Sequence, residues 1–448
     1  MKLKPKEIVV FIFLVLSIYS CGGNDNSEEN NSGGGEDDST PWTSIADGLA
    51  SANLHTTAIT LDSSGGIILA GFLSGDNSIV PGGSDGYLAK YTSTGSKEWS
   101  VRLNGARSTC IGCPSTGQID RLTGVSVSSD NSIYVTGYTH GNLVGGSSSL
   151  QYPDPFIVKY NSSGIHQWTH QAKQPYTTYG TSSKVAIDSN DKVFLIFESG
   201  DRNRIIKFSS IGDIEMGDPQ FGDEIHCGIA DFNGSSARGM VFDSEGNLYF
   251  SGHYNGATTG NTQIGFTDYI LSKCSSTGEL QWMIQYGSTN YDYSTGLAID
   301  SNNNLYLIGY TNQGSIDSTT PAGGFDIFLA KYNSSGVKQW VSQFGSSEDD
   351  IPNGIAVDSS DNIYLVGQTE GSLDGNSKFG AMDYFISKYN SSGTRLWTKQ
   401  FGTNYSEAAN AIVIDSKDNL FITGYPGYPS IGSLDAFVYK FNTSGEKQ

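Results

Sequence analysis

The chain has 448 residues, with 56 Gly and 25 Tyr but only 16% charged side chains, a composition that suits many short strands and tight turns and argues against long helices. Its formal net charge of −20 repels phosphate backbones, which excludes nucleic acid as a natural partner. The five cysteines are too scattered to form a dense disulfide framework.

In chain order, Lys2, Lys4 and Lys6 precede an apolar run from Ile8 to Tyr19 that is broken only by Ser17. A membrane-spanning helix needs about 20 residues, so this shorter run is expected to be an export signal covering 1–20. It ends in Ile18-Tyr19-Ser20-Cys21, which resembles the lipobox of bacterial lipoproteins, with Tyr19 bulkier than the usual residue. The resemblance implies an acylated Cys21 as the mature N-terminus. It also implies an exported protein held on a membrane by lipid, at the outer membrane or cell surface. Residues 21–39 carry Gly, Asn, Ser and acids with nothing apolar to bury, and are expected to form a disordered tether spanning about 20–25 Å.

Residues 40–448 are repetitive. Gly354 to Gly367 reads GIAVDSSDNIYLVG and Gly296 to Gly309 reads GLAIDSNNNLYLIG. The Asp inside this run marks the copies at Asp62, Ser128 (in place of Asp), Asp188, Asp243, Asp300, Asp358 and Asp415. Each copy offers four short extended runs; in the sixth they are Ile355–Val357, Ile363–Val366, Tyr384–Tyr389 and Leu396–Phe401. Turn signals, D-S-S-D-N and N-S-S-G, follow the first and third runs. Apolar residues at consecutive positions require burial on both sheet faces. Seven such four-stranded sheets predict an all-β, seven-bladed β-propeller. The last copy lacks the Trp that begins a fourth strand, whereas Trp42 stands near the N-terminus at the matching spacing. The segment around 41–47 is therefore expected to supply the outer strand of the last blade and close the ring, giving a monomer.

The runs Asp358 to Thr369 (DSSDNIYLVGQT), Asp383 to Gly393 (DYFISKYNSSG) and Trp397 to Gly402 (WTKQFG) resemble the seven-bladed propeller repeat proteins, the SBBP repeats. The resemblance covers nearly all of 41–448. It implies a fold and an envelope or surface setting, but no single activity. The third copy departs from it, with Phe197 in place of the Gly after the second strand and Met216 at the Trp position.

The repeated Asp, Asn and Gly read as turn chemistry. Asp300-Ser301-Asn302-Asn303-Asn304 has calcium-loop spacing but lacks the following Gly and the twelfth-position Glu, so no metal is expected there. Gly82-Gly83-Ser84-Asp85-Gly86 matches a hydrolase nucleophile elbow only in letters, because a strand rather than a helix is expected to follow. Cys110 and Cys113 form a lone C-x-x-C, expected as a local disulfide rather than a metal or redox site. Cys274 sits where other copies have Tyr, which suggests a core position.

In a blade, first-to-second and third-to-fourth connections share one face of the disc; here they are short and alike. The other connections, including insertions at Ala106–Asp120 and Gly217–Asn233, are long and individual. That face collects His55, His140, His226 and His253, together with Tyr176, Tyr179, Tyr291, Tyr293 and Tyr405. Such loops resemble a binding paratope. They point to a non-enzymatic module, without cofactor, that contacts a protein or glycan. The alternatives are a scaffold subunit of an envelope complex, or a hydrolase or lyase with its site at the channel mouth.

Overall fold

A computed structural model describes residues 53–74, 83–104, 119–144, 153–172, 183–199, 202–217, 236–427 and 436–448. These form seven antiparallel sheets in chain order, six of four strands and the last of three. The protein is an all-β, seven-bladed propeller. Among the described residues the one helical element is the single 3-10 turn Leu373–Gly375. The expected outer strand of the last blade, with Trp42, lies outside the described residues, as do Cys21, Cys110, Cys113, Tyr176, Tyr179 and His226.

Blade six has the strands Asp350–Val357, Ile363–Thr369, Asp383–Tyr389 and Arg395–Phe401, paired in sequence order. Its second and third strands are buried at five consecutive positions, as their unbroken apolar sequence requires. The core is divided into clusters, each shared by neighbouring blades. One joins Leu54, Leu69 and Tyr87 of blade one to Phe421 and Val438 of blade seven. At the same junction Asn410 Nδ2 donates to the Thr56 carbonyl at 2.8 Å, and Thr423 Oγ1 donates to Thr56 Oγ1 at 2.7 Å. The inner strands thus complete the ring.

The consensus letters have mechanical explanations. Asp300 accepts the backbone N–H groups of Asn302 (2.9 Å) and Asn304 (2.8 Å), the Asn304 amide and the Tyr306 hydroxyl (3.0 Å). Its D-x-N-x-N spacing is that of a self-bonded turn. The fourth turn residue adopts a left-handed conformation at Asn131, Asp191, Asn303, Asp361 and Asp418. In blade six that residue, Asp361, accepts from Ser301 of the preceding blade. In blade seven Asp418 likewise accepts from Ser359. The N-S-S-G glycine also has positive φ, and at Gly164, Gly336 and Gly393 it lies against the outer-strand Trp of the preceding blade, where a Cβ would crowd the indole.

The Gln of Q-F-G is a further hub. Gln400 Nε2 donates to Asp383 Oδ2 (2.7 Å) and the Gly371 carbonyl (2.9 Å), and its Oε1 accepts from Leu373 N–H (3.0 Å). Gln171, Gln285 and Gln343 repeat these bonds. In blade one Arg102 takes the position and pairs with Asp85 at 3.0 Å.

Blade three's Phe197 has a structural reason. In the other six blades the inner strand carries a one-residue bulge, for example between Ser294 and Gly296. In five of them the bulge brings an inner-strand carbonyl so close to the glycine of the second strand that any Cβ would collide, as at Gly309 with Tyr293 and Gly424 with Ala408. The inner strand of blade three, Ser183–Ile187, pairs without a bulge, which leaves room for the buried Phe197. Cys274 is buried, as expected at a core position; it is also disulfide-bonded, which its substitution for Tyr did not announce.

Candidate site at the channel mouth

The inner strands begin at the face of individual loops and end at the face of uniform turns. Their first residues therefore lie at one mouth of the axial channel, and their bulges lie deeper. The bulged residues are Thr57, Thr123, Arg238, Thr295, Asn353 and Asn410. Three fasten one blade to the next: Thr57 Oγ1 donates to the Leu122 carbonyl (2.8 Å), Asn353 Nδ2 to the Ala409 carbonyl (2.9 Å) and Asn410 Nδ2 to the Thr56 carbonyl. In blade three, Lys184 pairs with Ile196 where the other blades place a small residue such as Gly124 or Gly239 after the bulge.

The expected histidines fall into two groups. His55 stacks on Phe72 with centroids 4.6 Å apart, and its Nε2 meets Ser74 Oγ at 3.0 Å. Arg121 covers Phe72, its guanidinium 4.2 Å from the ring centroid. Burial, with Arg121 adding to it, pushes the His55 imidazole down to about 4. His140 is also lowered, chiefly by burial, and its Nδ1 lies 3.4 Å from the Ile119 carbonyl.

The second group lies on blades four and five. His253 meets Tyr293 edge-on at 4.9 Å. Burial first and Arg238 second push it down to about 3, and its Nδ1 has no hydrogen-bond partner. From Tyr293 the rings continue outward to Tyr291 (6.4 Å, interplanar 4°) and then Phe266 (5.0 Å, 17°). They continue sideways to Tyr310 at 5.0 Å. Phe266 is 57% exposed and Tyr291 38%, so the run ends on a solvent-facing platform. Tyr405 is exposed as well, but on the junction of blades six and seven and apart from this run.

Of the residues singled out in the sequence, the structure thus brings together His253, Tyr291 and Tyr293. Arg121, Lys184, Arg238 and Tyr310 were missed. One signal was available: the residue five places before the repeat Asp is polar in an otherwise apolar strand, and in the fourth copy it is Arg. Among the described residues no hydrogen bond joins His55, His140 or His253 to a carboxylate, the pairing that acid–base chemistry by these histidines would use.

A seven-bladed disc with one self-bonded face and one aromatic face belongs to the class of β-propellers. Residues 281–317 and 339–374 match the family described as SBBP: Beta-propeller repeat, so these two stretches carry repeats of this family. The chain is 22% identical to the regulatory protein FlaEY of Caulobacter vibrioides over 285 residues, 58% of this chain and 30% of that protein. It is 25% identical to an uncharacterised WD repeat-containing protein of Acanthamoeba polyphaga mimivirus over 191 residues, 34% of this chain and 14% of that one. The matches therefore span less than a third of either relative. Among solved structures, the polysaccharide lyase Uly1 superposes with a TM-score of 0.51 at 12% identity, covering 87% of this chain and 90% of that one. This likeness is one of fold.

Proposed function

We propose that this protein is an exported, lipid-anchored interaction module whose individual loop face binds a protein or glycan ligand at an envelope or cell surface, without catalysis. The carrying observation is the contrast between the faces. On the uniform face the Asp, Asn, Ser and Lys side chains bond to their own turn or to the next blade, as Asp300 and Lys331 do. On the opposite face Phe266, Tyr291, Phe379 and Tyr405 stand exposed on a rigid frame. Function sits on loops held by such scaffolds. The repeat match and the relative named as a regulatory protein agree with an interaction role. The disulfide at Cys274 supports an oxidising compartment, and the charged, apolar and lipobox-like segments before Cys21 support export.

Residues 40–448, immobilised, test the binding role by capture from an envelope fraction. Replacing 106–118 and 218–233 with short turns that keep their cysteines should leave the melting temperature near that of the parent, because loop length costs about 0.6 kcal/mol per doubling. Capture should fall. Unchanged capture would move the site to the uniform face or to the blade rims. Mass spectrometry should find an acylated Cys21 at the mature N-terminus; an unmodified terminus removes the anchor from the proposal.

A further inference from the structure

In a chain of net charge −20, the inner strands of blades three and four each carry a cation, and among the described residues no acid pairs with either. Lys184 lies on the inner strand Ser183–Ile187 and Arg238 on the next inner strand, Ser236–Phe242. Arg238 is exposed in the middle of a strand that packs against neighbours on either side, so its side chain faces the axial channel. Lys184 Nζ has only the Thr123 carbonyl, 3.5 Å away. Among the described residues neither cation has a carboxylate partner, although Arg102 and most of the lysines of the repeat have one. Folding gains little from the part-buried Lys184 ammonium, because a charge taken out of water without a carboxylate partner destabilises.

Among the described residues, two further groups on blades four and five also lack partners. Thr295 Oγ1, the bulged hydroxyl of blade five, is buried and unbonded, as is His253 Nδ1. The aromatic run starts beside the Arg238 strand: His253 pairs with Ser236 and touches Tyr293, which leads through Tyr291 to the exposed Phe266.

We propose that Lys184 and Arg238 form an anion site in the channel that takes the carboxylate of a uronic-acid sugar whose neighbouring rings lie on the Tyr291–Phe266 platform. Two cations on successive inner strands suit one carboxylate, and an Arg can hold it with two parallel bonds. The flat outer rings suit sugar faces, with their C–H groups against the aromatic π surface. A peptide carboxylate would meet the same cations. However, a bound peptide chain needs a free strand edge, and at three blade junctions an inner-edge carbonyl is taken up by Thr57, Asn353 or Asn410. The repulsion exerted by the acidic body would be offset locally by the two cations. Burial and the neighbouring guanidinium press the Lys184 ammonium down to about 8, so it is still largely charged at neutral pH and would be relieved by a bound anion.

The proposal rests on the individual face being the binding face, and the test separates the two. Titration calorimetry of residues 40–448 compares an oligogalacturonate, a neutral oligosaccharide of the same length and an oligoglutamate. The oligogalacturonate is expected to bind, to weaken with salt, and to lose about tenfold or more affinity in Arg238→Gln and in Lys184→Met. Phe266→Ala and Tyr291→Ala should weaken both sugars if the neutral one binds at all. All variants are compared at matched melting behaviour, and Lys184→Met is expected to fold at least as well as the parent because it removes an unpaired cation. Equal binding of neutral and acidic sugars, or an unchanged Arg238→Gln, overturns the anion site. Preferential binding of oligoglutamate overturns the sugar assignment. If no uronate binds while the loop-grafted body still loses its captured partner, the uronate site fails and the binding face stands.

Discussion

Three described blade junctions bring two carboxylates together on the loop face, Asp268 with Asp292, Asp326 with Asp350 and Asp383 with Glu407, and the Asp326–Asp350 pair allows a quantitative prediction. Asp350, the first residue of the inner strand of blade six, is fully buried, and Ser346 N–H donates to it at 2.5 Å. Burial, with Asp326 adding like charge, raises its carboxyl from 3.8 to about 6 against the opposing hydrogen bonds. A raised carboxylate pKa means the folded state holds the proton that the unfolded state has released between about pH 4 and pH 6. Stability therefore falls as pH rises through that window, and the ionised form is destabilising above it. A shift of roughly two units corresponds to about 3 kcal/mol, which for a body of some 400 residues is roughly 3–4 °C in melting temperature. Asp350→Asn removes the charge and keeps the shape. Whatever the amide gains or loses sterically is the same at every pH, so the informative quantity is the melting difference between variant and parent at pH 8 minus that at pH 4. It should favour the variant at pH 8 by about 3 °C, read by calorimetry or near-ultraviolet circular dichroism. An equal difference at both pH values would refute a buried, charge-strained Asp350.

Gln400→Ala removes three buried hydrogen bonds and should cost about 2–4 kcal/mol in denaturant unfolding, whereas a surface Gln change should cost almost nothing. Gly309→Ala should be strongly destabilising, because its Cβ would collide with the Tyr293 carbonyl; Phe197→Gly should also destabilise, through a cavity, by about 3–5 kcal/mol. Removing residues 40–48 should leave the last blade with an open edge and lower the melting temperature with aggregation, and Trp42→Ala should cost about 3–5 kcal/mol if the ring closes as the sequence leads one to expect; a truncated body that melts like the parent refutes that closure. Lys184→Met should raise the melting temperature at neutral pH, since the unpaired ammonium is already pushed down to about 8; a lower value would mean that Lys184 has a structural partner.

The blades were legible because each repeats the same local physics. An apolar run buried on both faces can only be an interior strand, and D-S-S-D-N and N-S-S-G can only be tight turns. Seven copies of these signals set both fold and blade number. The structure added the reason for each letter: Asp300 ties its own turn, Asp361 ties the turn before it, and Gln400 pins the loop above Asp383. Phe197 was visible as an exception, but its cause was not, because the glycine it replaces answers to a bulge in a neighbouring strand rather than to its own chain neighbours. The site was legible only in part. His253, Tyr291 and Tyr293 stood out by residue type on loops expected to vary. Arg238 and Lys184 lie 54 positions apart and looked like ordinary strand residues. Period, turn chemistry and burial are properties of adjacent residues, so the amino-acid order alone determined the propeller and its two unlike faces. Which charged side chains fall on neighbouring strands of the channel wall depends on how consecutive inner strands pack around a common axis, and only the tertiary structure decided that.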